Sequence, residues 1–128
     1  MNADWPHVRL ERVRFRDCDA MGHVNNAVYS TFLEEARIEV VGGLADFILA
    51  RVEIDFRSEL RAGEEIEVRT RCSRIGTKSL ELAHEIHANG RLAAEAKSIL
   101  VGYDYQLGQS VPLSEDVRSR LSATRASA

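Results

Sequence analysis

The chain has 128 residues, of which 45% are hydrophobic and 29% charged, and its formal net charge is −3. That length suits one domain, residues 1–128, built on a single core, and the acidic balance argues against a nucleic-acid-binding surface built on bulk positive charge. No apolar run approaches the roughly 20 residues that cross a bilayer, and the N-terminus lacks the basic start and apolar stretch of a signal peptide. Cys18 and Cys72 have no metal-ligand spacing, so we expect reduced cysteines, no metal site and a cytoplasmic protein.

The first predicted element is a strand over residues 8–15 (VRLERVRF). Val8 and Leu10 alternate with polar residues, but the next apolar residues, Val13 and Phe15, are out of phase with them. This shift favours a bulge or twist near Glu11 and Arg12. A polar loop over residues 16–26 follows it.

From Ala27 the apolar residues recur every three or four positions, which predicts an amphipathic helix. They are Val28, Tyr29, Phe32, Leu33, Ala36 and Val40. Asn25 or Asn26 is the expected N-cap, and Gly42-Gly43 the expected stop. Glu34 and Arg37 are three residues apart and are expected to pair on the solvent side of this helix.

The rest of the chain alternates with a period of two, which indicates strands. They are predicted over residues 48–60, 65–74 and about 79–88, with a long one from residue 91. Asn89-Gly90 is a strong hairpin signal. A short helix near 114–122, capped by Ser114, precedes a tail expected to fray.

This element order predicts an α+β fold, with a mainly antiparallel sheet of about five strands packed against one long helix. Strands and helices do not alternate, which disfavours a parallel doubly wound sheet. A broad sheet with open edges needs a partner to cover them, so we expect a homodimer or homotetramer.

The segment RFRDCDAMGHVNNAVYSTFLEEAR, residues 14–37, concentrates polar side chains just before the helix. A helix N-terminus presents unpaired N–H groups and partial positive charge, which can polarise a carbonyl or hold an oxyanion. A carboxylate nearby can act as a nucleophile or as a general base. Asx turns at Asp17 and Asp19, with the asparagines as helix caps, explain the same residues equally well.

The same segment resembles the signature of the 4-hydroxybenzoyl-CoA thioesterase-like family of the hotdog-fold superfamily. That signature runs Asp-x-Asp, two residues, Gly, then His-Val-Asn-Asn and a helix. The resemblance extends through EIDFRSELRAGEEIEVRTRCSRIGTKS and GYDYQLGQSVPLSEDVRSRL, and so along nearly the whole chain. It implies a hotdog fold, in which a curved antiparallel sheet wraps round one long helix, and an oligomer with active sites between subunits.

The resemblance also implies hydrolysis of an acyl-CoA thioester, with Asp19 as the catalytic carboxylate, either nucleophile or general base. The backbone N–H at or near Asn26 would polarise the thioester carbonyl. His23 matches the histidine of the motif. Related plant acyl carrier protein thioesterases have an asparagine where this chain has Met21, so orienting Asp19 or lining the pocket suits His23 as well as catalysis does.

Further substrate-binding residues are expected around this loop. Gly22 allows the backbone to approach a ligand closely. Three cations near turns are candidates for the CoA phosphates. The full set is Gly22, Asn25, Tyr29, Arg57, Arg61 and Lys78. No cofactor is expected beyond the CoA of the substrate.

Two alternatives remain open at this point: hydrolysis of acyl carrier protein thioesters, and acyl-CoA binding without turnover. His84 and His87 lie three apart in a predicted strand and so on opposite faces, where surface or partner contacts are expected. Cys18 between two carboxylates is a poor candidate nucleophile.

Overall fold

The structure, a computed structural model, describes residues 4–124. In chain order its elements are β1 (His7–Arg12), α1 (Asn26–Val41), β2 (Phe47–Phe56), β3 (Glu65–Ile75), β4 (Ser79–Ala88), β5 (Arg91–Asp104), β6 (Gln109–Ser110) and α2 (Glu115–Ala123). The sheet order is β1-β3-β4-β5-β2, every pairing is antiparallel, and the two-residue β6 adds to β5. The predicted α+β architecture, an antiparallel sheet around one long helix, is confirmed. Within the described residues, no helix is both long and apolar enough to cross a membrane.

The ends of α1 follow from its flanking residues. Asn25 is the N-cap, and its side-chain oxygen accepts the N–H of Ala27 at 3.0 Å. Gly42 ends the helix with φ 82° in the left-handed region, and its N–H donates to the Ile38 carbonyl at 2.9 Å. A side chain would be strained at that φ, which is why glycine stands there. Both predicted ends of this helix are confirmed.

The core lies between α1 and the inner face of the sheet, where β3 and β4 bury every second residue. One apolar cluster surrounds the first half of α1, and a second surrounds its last turns and α2. The first contains Tyr29, Phe32, Leu33, Ala36, Leu60, Ile66, Val68 and Ile86. The second contains Val40, Val41, Leu80, Leu82, Leu100 and Leu121.

A layer of four buried polar side chains, Arg37, Thr70, His84 and Ser98, separates the two clusters. The His84 ring bonds the Thr70 hydroxyl through Nδ1 at 3.0 Å and the Ser98 hydroxyl through Nε2 at 2.9 Å. Arg37 donates to the same Ser98 oxygen at 3.0 Å. We call this set the polar layer.

Two expectations about the polar layer were wrong. Arg37 is 3% exposed and does not lie on the solvent side of α1, and His84 is 2% exposed and so is no surface contact. The two strand histidines do point to opposite faces: His87 lies on the outer face and pairs with Glu85 at 2.8 Å.

Two predicted strands end earlier than expected. β1 stops at Arg12, and Phe15 begins a 3-10 turn with its ring 89% exposed, so the shift in apolar phase marks the end of a strand and not a bulge. β2 stops at Phe56, because the N–H groups of Arg57 and Ser58 both donate to the Ala93 carbonyl and break the ladder.

The later turns and the last helix match their predictions. Asn89 (φ 51°) and Gly90 (φ 76°) form the hairpin between β4 and β5. Ser114 caps α2, its hydroxyl accepting the N–H of Val117 at 3.2 Å. The tail expected to fray, residues 126–128, lies outside the described residues.

The two edge strands differ in their surfaces. β1 is six residues long, exposes Val8 and Leu10, and carries ion pairs, including Arg12 with Glu65 at 2.7 Å. β2 is ten residues long and exposes large apolar side chains: Ile48, Leu49, Val52 and Phe56. A long apolar edge strand is a surface that proteins usually cover.

Candidate active site

The polar loop before α1 is fixed by backbone hydrogen bonds on both sides. Within it, Asn25 N–H donates to the Asp17 carbonyl at 3.0 Å, and a β-bridge joins Cys18 to Val24. Val24 N–H donates to the carbonyl of Leu60, in the segment after β2, at 3.0 Å, and His23 bridges to Arg61 there. The loop is therefore held between the start of α1 and residues 57–61.

Asp19 occupies an Asx turn within this loop. Its Oδ1 accepts the N–H of Met21 at 2.8 Å and that of His23 at 3.2 Å. Gly22, with φ 81°, closes the turn by donating its N–H to the Asp19 carbonyl at 3.0 Å. No hydrogen bond among residues 4–124 uses Oδ2. The Asx turn and a catalytic role are thus compatible, since one oxygen orients the carboxylate and the other can face a reactant.

The N-terminus of α1 lies beside this carboxylate, and Asn25 and Asn26 both line the same pocket as Asp19. The side-chain oxygen of Asn25 accepts the N–H of Ala27, and its backbone carbonyl accepts the N–H of Val28. Within the described chain, the N–H of Asn26 has no hydrogen-bond partner. It is therefore the amide that can donate to a carbonyl oxygen entering the pocket.

The pocket has a volume of about 560 Å³, enough for the acyl and thioester part of a ligand. Six of the nine predicted site residues line it: Asp19, His23, Asn25, Asn26, Tyr29 and Arg57. Five further residues, which the sequence did not single out as site residues, complete it: Val24, Phe56, Ser58, Glu59 and Leu60.

The apolar wall of the pocket is aromatic. Tyr29 and Phe56 meet edge to face, with ring centroids 4.9 Å apart and an interplanar angle of 77°. Tyr29 is 3% exposed, and its hydroxyl donates to the Ser58 carbonyl at 3.5 Å. Burial raises the pKa of this phenol above its usual range, so it stays protonated.

Charged side chains pair with one another around the mouth of the pocket. His23 Nε2 lies 3.3 Å from a carboxylate oxygen of Glu59. The same oxygen lies 3.4 Å from the guanidinium of Arg61. Arg57 holds Glu95 through two nitrogens, at 2.8 and 2.9 Å. A CoA phosphate that binds Arg57 or Arg61 would have to compete with these carboxylates.

Three predicted binding residues do not line the pocket. Gly22 closes the Asx turn and Arg61 directly follows Leu60, but neither belongs to the lining. Lys78 precedes β4, whereas the pocket lies near Phe56, which aligns through β5 with the other end of β4. Within one chain, Lys78 and the pocket are therefore at opposite ends of the sheet.

The ion pair of Arg91 with Glu64 holds the segment of residues 57–61. Arg91 pairs with Glu64 at 2.7 Å, and its guanidinium also donates to the Glu59 carbonyl at 2.6 Å. Glu64 accepts further bonds from Asn89 and from the N–H of Arg61. The hydrogen bond from Arg91 is the main cause that lowers the pKa of Glu64, and the same bond raises that of Arg91.

Other reactive groups do not converge on the site. Cys18 is partly buried and Cys72 buried, and no disulfide joins them. Among residues 4–124, no group of three histidine, cysteine, aspartate or glutamate side chains is placed to hold a metal ion.

Residues 13–121 match the sequence profile of the thioesterase-like superfamily. The chain belongs to this superfamily. Thioesterase-like proteins of known structure share its fold over almost the full length, and the fold is therefore the hotdog fold expected from the loop and helix motif. No functionally curated protein sequence matches the chain significantly.

Three solved structures illustrate the similarity. A thioesterase from Thermus thermophilus, complexed with coenzyme A and zinc, is 34% identical with a TM-score of 0.86, and the match covers 98% of both chains. A predicted thioesterase from Bacillus stearothermophilus is 27% identical with the same TM-score, covering 92% of this chain and 95% of the other. A 1,4-dihydroxy-2-naphthoyl-CoA thioesterase from Synechocystis, at 18% identity and a TM-score of 0.81 over 90% and 94%, shares the fold. Membership, together with the Thermus thermophilus and Bacillus stearothermophilus relatives, supports a thioester hydrolase.

Proposed function

We propose that this thioesterase-like protein hydrolyses acyl-CoA thioesters to the free acid and CoA, with Asp19 as the reactive carboxylate. The observation that carries the proposal is the shared pocket: Asp19 and Asn26, whose N–H has no partner among the described residues, both line one cavity, beside an aromatic wall. A relative 34% identical binds coenzyme A, which supports CoA as the carrier of the acyl group.

The proposed reaction needs two functions from these residues. The Asn26 amide, at the positive end of α1, stabilises the oxyanion that forms when the thioester carbonyl is attacked. Asp19 either attacks that carbonyl or takes a proton from the attacking water. The CoA thiolate then leaves and takes up a proton. If Asp19 was the nucleophile, water hydrolyses the acyl–Asp19 anhydride to the free acid; if it was the general base, the free acid forms directly. Oδ1 is already fixed by two backbone N–H groups, so Oδ2 is the oxygen assigned to the reaction.

The substrate contacts belong to the same proposal. Tyr29 and Phe56 form the wall against which the acyl group packs, and Asn25 and Gly22 hold the loop conformation. Arg57 and Arg61 are proposed phosphate contacts. Lys78 could reach a substrate only in a different copy of the chain.

A second copy of the chain is also part of the proposal. The β2 edge offers unpaired backbone groups and an apolar surface with which the β2 of a second copy could pair. Its exposed apolar residues are Ile48, Leu49, Val52 and Phe56. Phe56 lies both in this surface and in the pocket, which supports a site completed between subunits. A cytoplasmic location and independence from metals or other cofactors stay predictions.

The test is thiol release from a panel of aliphatic and aromatic acyl-CoAs, comparing the wild type with Asp19→Asn. Asparagine can still accept the N–H of Met21, so the turn should survive, while turnover should fall by about a hundredfold or more. Asp17→Asn is the matched control: Asp17 accepts the N–H of Arg14 at 2.8 Å and lies outside the pocket lining, so this variant should retain activity.

Two outcomes would contradict the proposal. If Asp19→Asn is as active as the wild type, the carboxylate is not the reactive group. If no acyl-CoA is hydrolysed, turnover of acyl carrier protein thioesters, or binding of acyl-CoA measured by calorimetry, would identify one of the two alternatives.

A further inference from the structure

Glu59 is a second carboxylate in the lining of the pocket. Its Oε2 lies 3.3 Å from Nε2 of His23, and the two residues come from different segments, Glu59 from the stretch after β2 and His23 from the loop before α1. The two segments are joined by the His23–Arg61 bridge and the hydrogen bond from Val24 to Leu60. The contact between the two side chains therefore rests on a fixed backbone.

The main chain at Glu59 is held more firmly than its exposure suggests. The Glu59 carbonyl accepts a hydrogen bond from Arg91, and the next residue, Leu60, is fully buried. On the other side, the Ser58 hydroxyl donates to the Leu92 carbonyl at 3.0 Å. The side chain itself is 56% exposed, so it can be replaced without opening a hole in the core.

The chemistry of this contact defines the state of the imidazole. The contact is a charge contact at 3.3 Å without the geometry of a hydrogen bond. An ionised carboxylate at this distance favours a proton on the nitrogen that faces it, because the carboxylate can only accept. The Nε2–H tautomer of His23 is therefore the favoured one, and it leaves the lone pair of the neutral ring on Nδ1. A neutral histidine in water exchanges between both tautomers, and a fixed carboxylate partner selects one of them.

We propose that Glu59 is a positioning residue that holds the His23 ring at the pocket in its Nε2–H form, leaving Nδ1 as the nitrogen that accepts a hydrogen bond from water or substrate. The inference deepens the proposed thioester hydrolysis and rests on it for the catalytic consequence. Glu59 itself touches no reacting atom in this scheme. Its second partner, Arg61, lies slightly farther away, at 3.4 Å.

The first test reads the imidazole directly, without any substrate. Nitrogen NMR at mildly alkaline pH should show His23 in the Nε2–H form in the wild type, and His23→Ala identifies its signals among those of the four histidines. In Glu59→Ala, the fraction of the Nδ1–H form should rise to that found in a free histidine. Glu59→Asp, with a shorter side chain, should restore the selection only partly.

Two control variants bracket this measurement. Glu85→Ala removes the carboxylate from the other outward-facing histidine pair, Glu85 with His87 at 2.8 Å, which lies outside the pocket lining. It should change the His87 signals and leave those of His23 unchanged. Arg61→Ala removes the competing partner of Glu59 and should leave His23 in the Nε2–H form.

The second test is kinetic. Glu59→Ala should lower kcat by roughly tenfold, with little change in KM, because a positioned imidazole supplies only part of the usual acid–base contribution. His23→Ala should cause a similar loss, and the double variant should be no slower than His23→Ala alone, since both changes remove one function.

The outcomes separate this inference from the proposed function. Unchanged His23 signals in Glu59→Ala, or kinetic losses that add in the double variant, would overturn the positioning role even in an active thioesterase. If the chain hydrolyses no thioester, the proposed function fails, while the nitrogen signals still decide whether Glu59 fixes the His23 ring.

Discussion

Acidification should destabilise this protein through His84, the buried histidine of the polar layer. Its ring is enclosed by the hydroxyls of Thr70 and Ser98, with the Arg37 guanidinium on the same serine. Burial, with a smaller contribution from the charge of Arg37, lowers the pKa of His84 to about 3. The native state therefore keeps this ring neutral at pH values where an unfolded chain would protonate it.

The sign and size of the effect follow from proton linkage. Because the pKa in the folded state lies below the unfolded value of about 6.5, stability from this group is complete above that value and is lost as the pH falls toward 3. Each pH unit in this window costs about 1.4 kcal/mol. At about pH 5 the loss should therefore reach about 2 kcal/mol, a large share of the stability of a small domain.

Urea unfolding at about pH 8 and about pH 5, for the wild type and for His84→Gln, measures this loss. Glutamine can bond the two hydroxyls but does not titrate. Both proteins must be compared at one concentration, because an oligomer is stabilised by mass action. The wild type should lose about 2 kcal/mol more than the variant between the two pH values.

If the wild type and His84→Gln lose the same free energy of unfolding between the two pH values, the reasoning is refuted. If His84→Gln does not fold, the wild-type histidine can be titrated directly by NMR. A His84 ring that protonates near pH 6.5, like a free histidine, would equally contradict a neutral polar layer.

Three further predictions concern other parts of the molecule. Leu33→Ala should lower the free energy of unfolding by about 2–5 kcal/mol, since Leu33 is fully buried. The control Leu107→Ala, at a residue 65% exposed, should change it by less than about 0.5 kcal/mol. Equal losses in the two variants would contradict this placing of the core. Glu64→Gln should lower stability at neutral pH, and the gap to the wild type should close as the pH falls below about 4.5, because the lowered pKa of Glu64 means that its stabilisation is lost on protonation; a gap independent of pH in urea unfolding would refute the ion pair with Arg91. Val52→Arg should shift the mass measured by light scattering toward the monomer, and an unchanged oligomer would exclude the β2 edge as its interface.

Features set by neighbouring residues were predictable from the sequence. The capping asparagine and the glycine after α1 define that helix through local geometry, and Asn89-Gly90 sets its hairpin in the same way. The cluster of Asp19, His23 and the two asparagines was also evident, because it lies within one short loop next to a helix N-terminus.

Features set by packing were not predictable. Arg37 and His84 are polar residues in positions that the fold buries, and periodicity alone treats such residues as surface. Glu59 belongs to a stretch rich in charge, and nothing local connects it to His23, since the contact depends on how the segment after β2 meets the loop before α1. Lys78 does not line the pocket, because its turn precedes β4 and the pocket lies near the opposite end of that strand.

The connections of the sheet give the pocket a particular place in folding. Strands β3, β4 and β5 follow one another through short turns, so their pairing closes only small loops. The pocket, in contrast, joins the segment after β2 to the loop after β1, and β1 and β2 pair with strands distant in sequence. Closing such loops costs more chain entropy. A ligand that contacts both Asn26 and Leu60 therefore strengthens a junction between segments distant in sequence, and its binding is coupled to the stability of the whole domain.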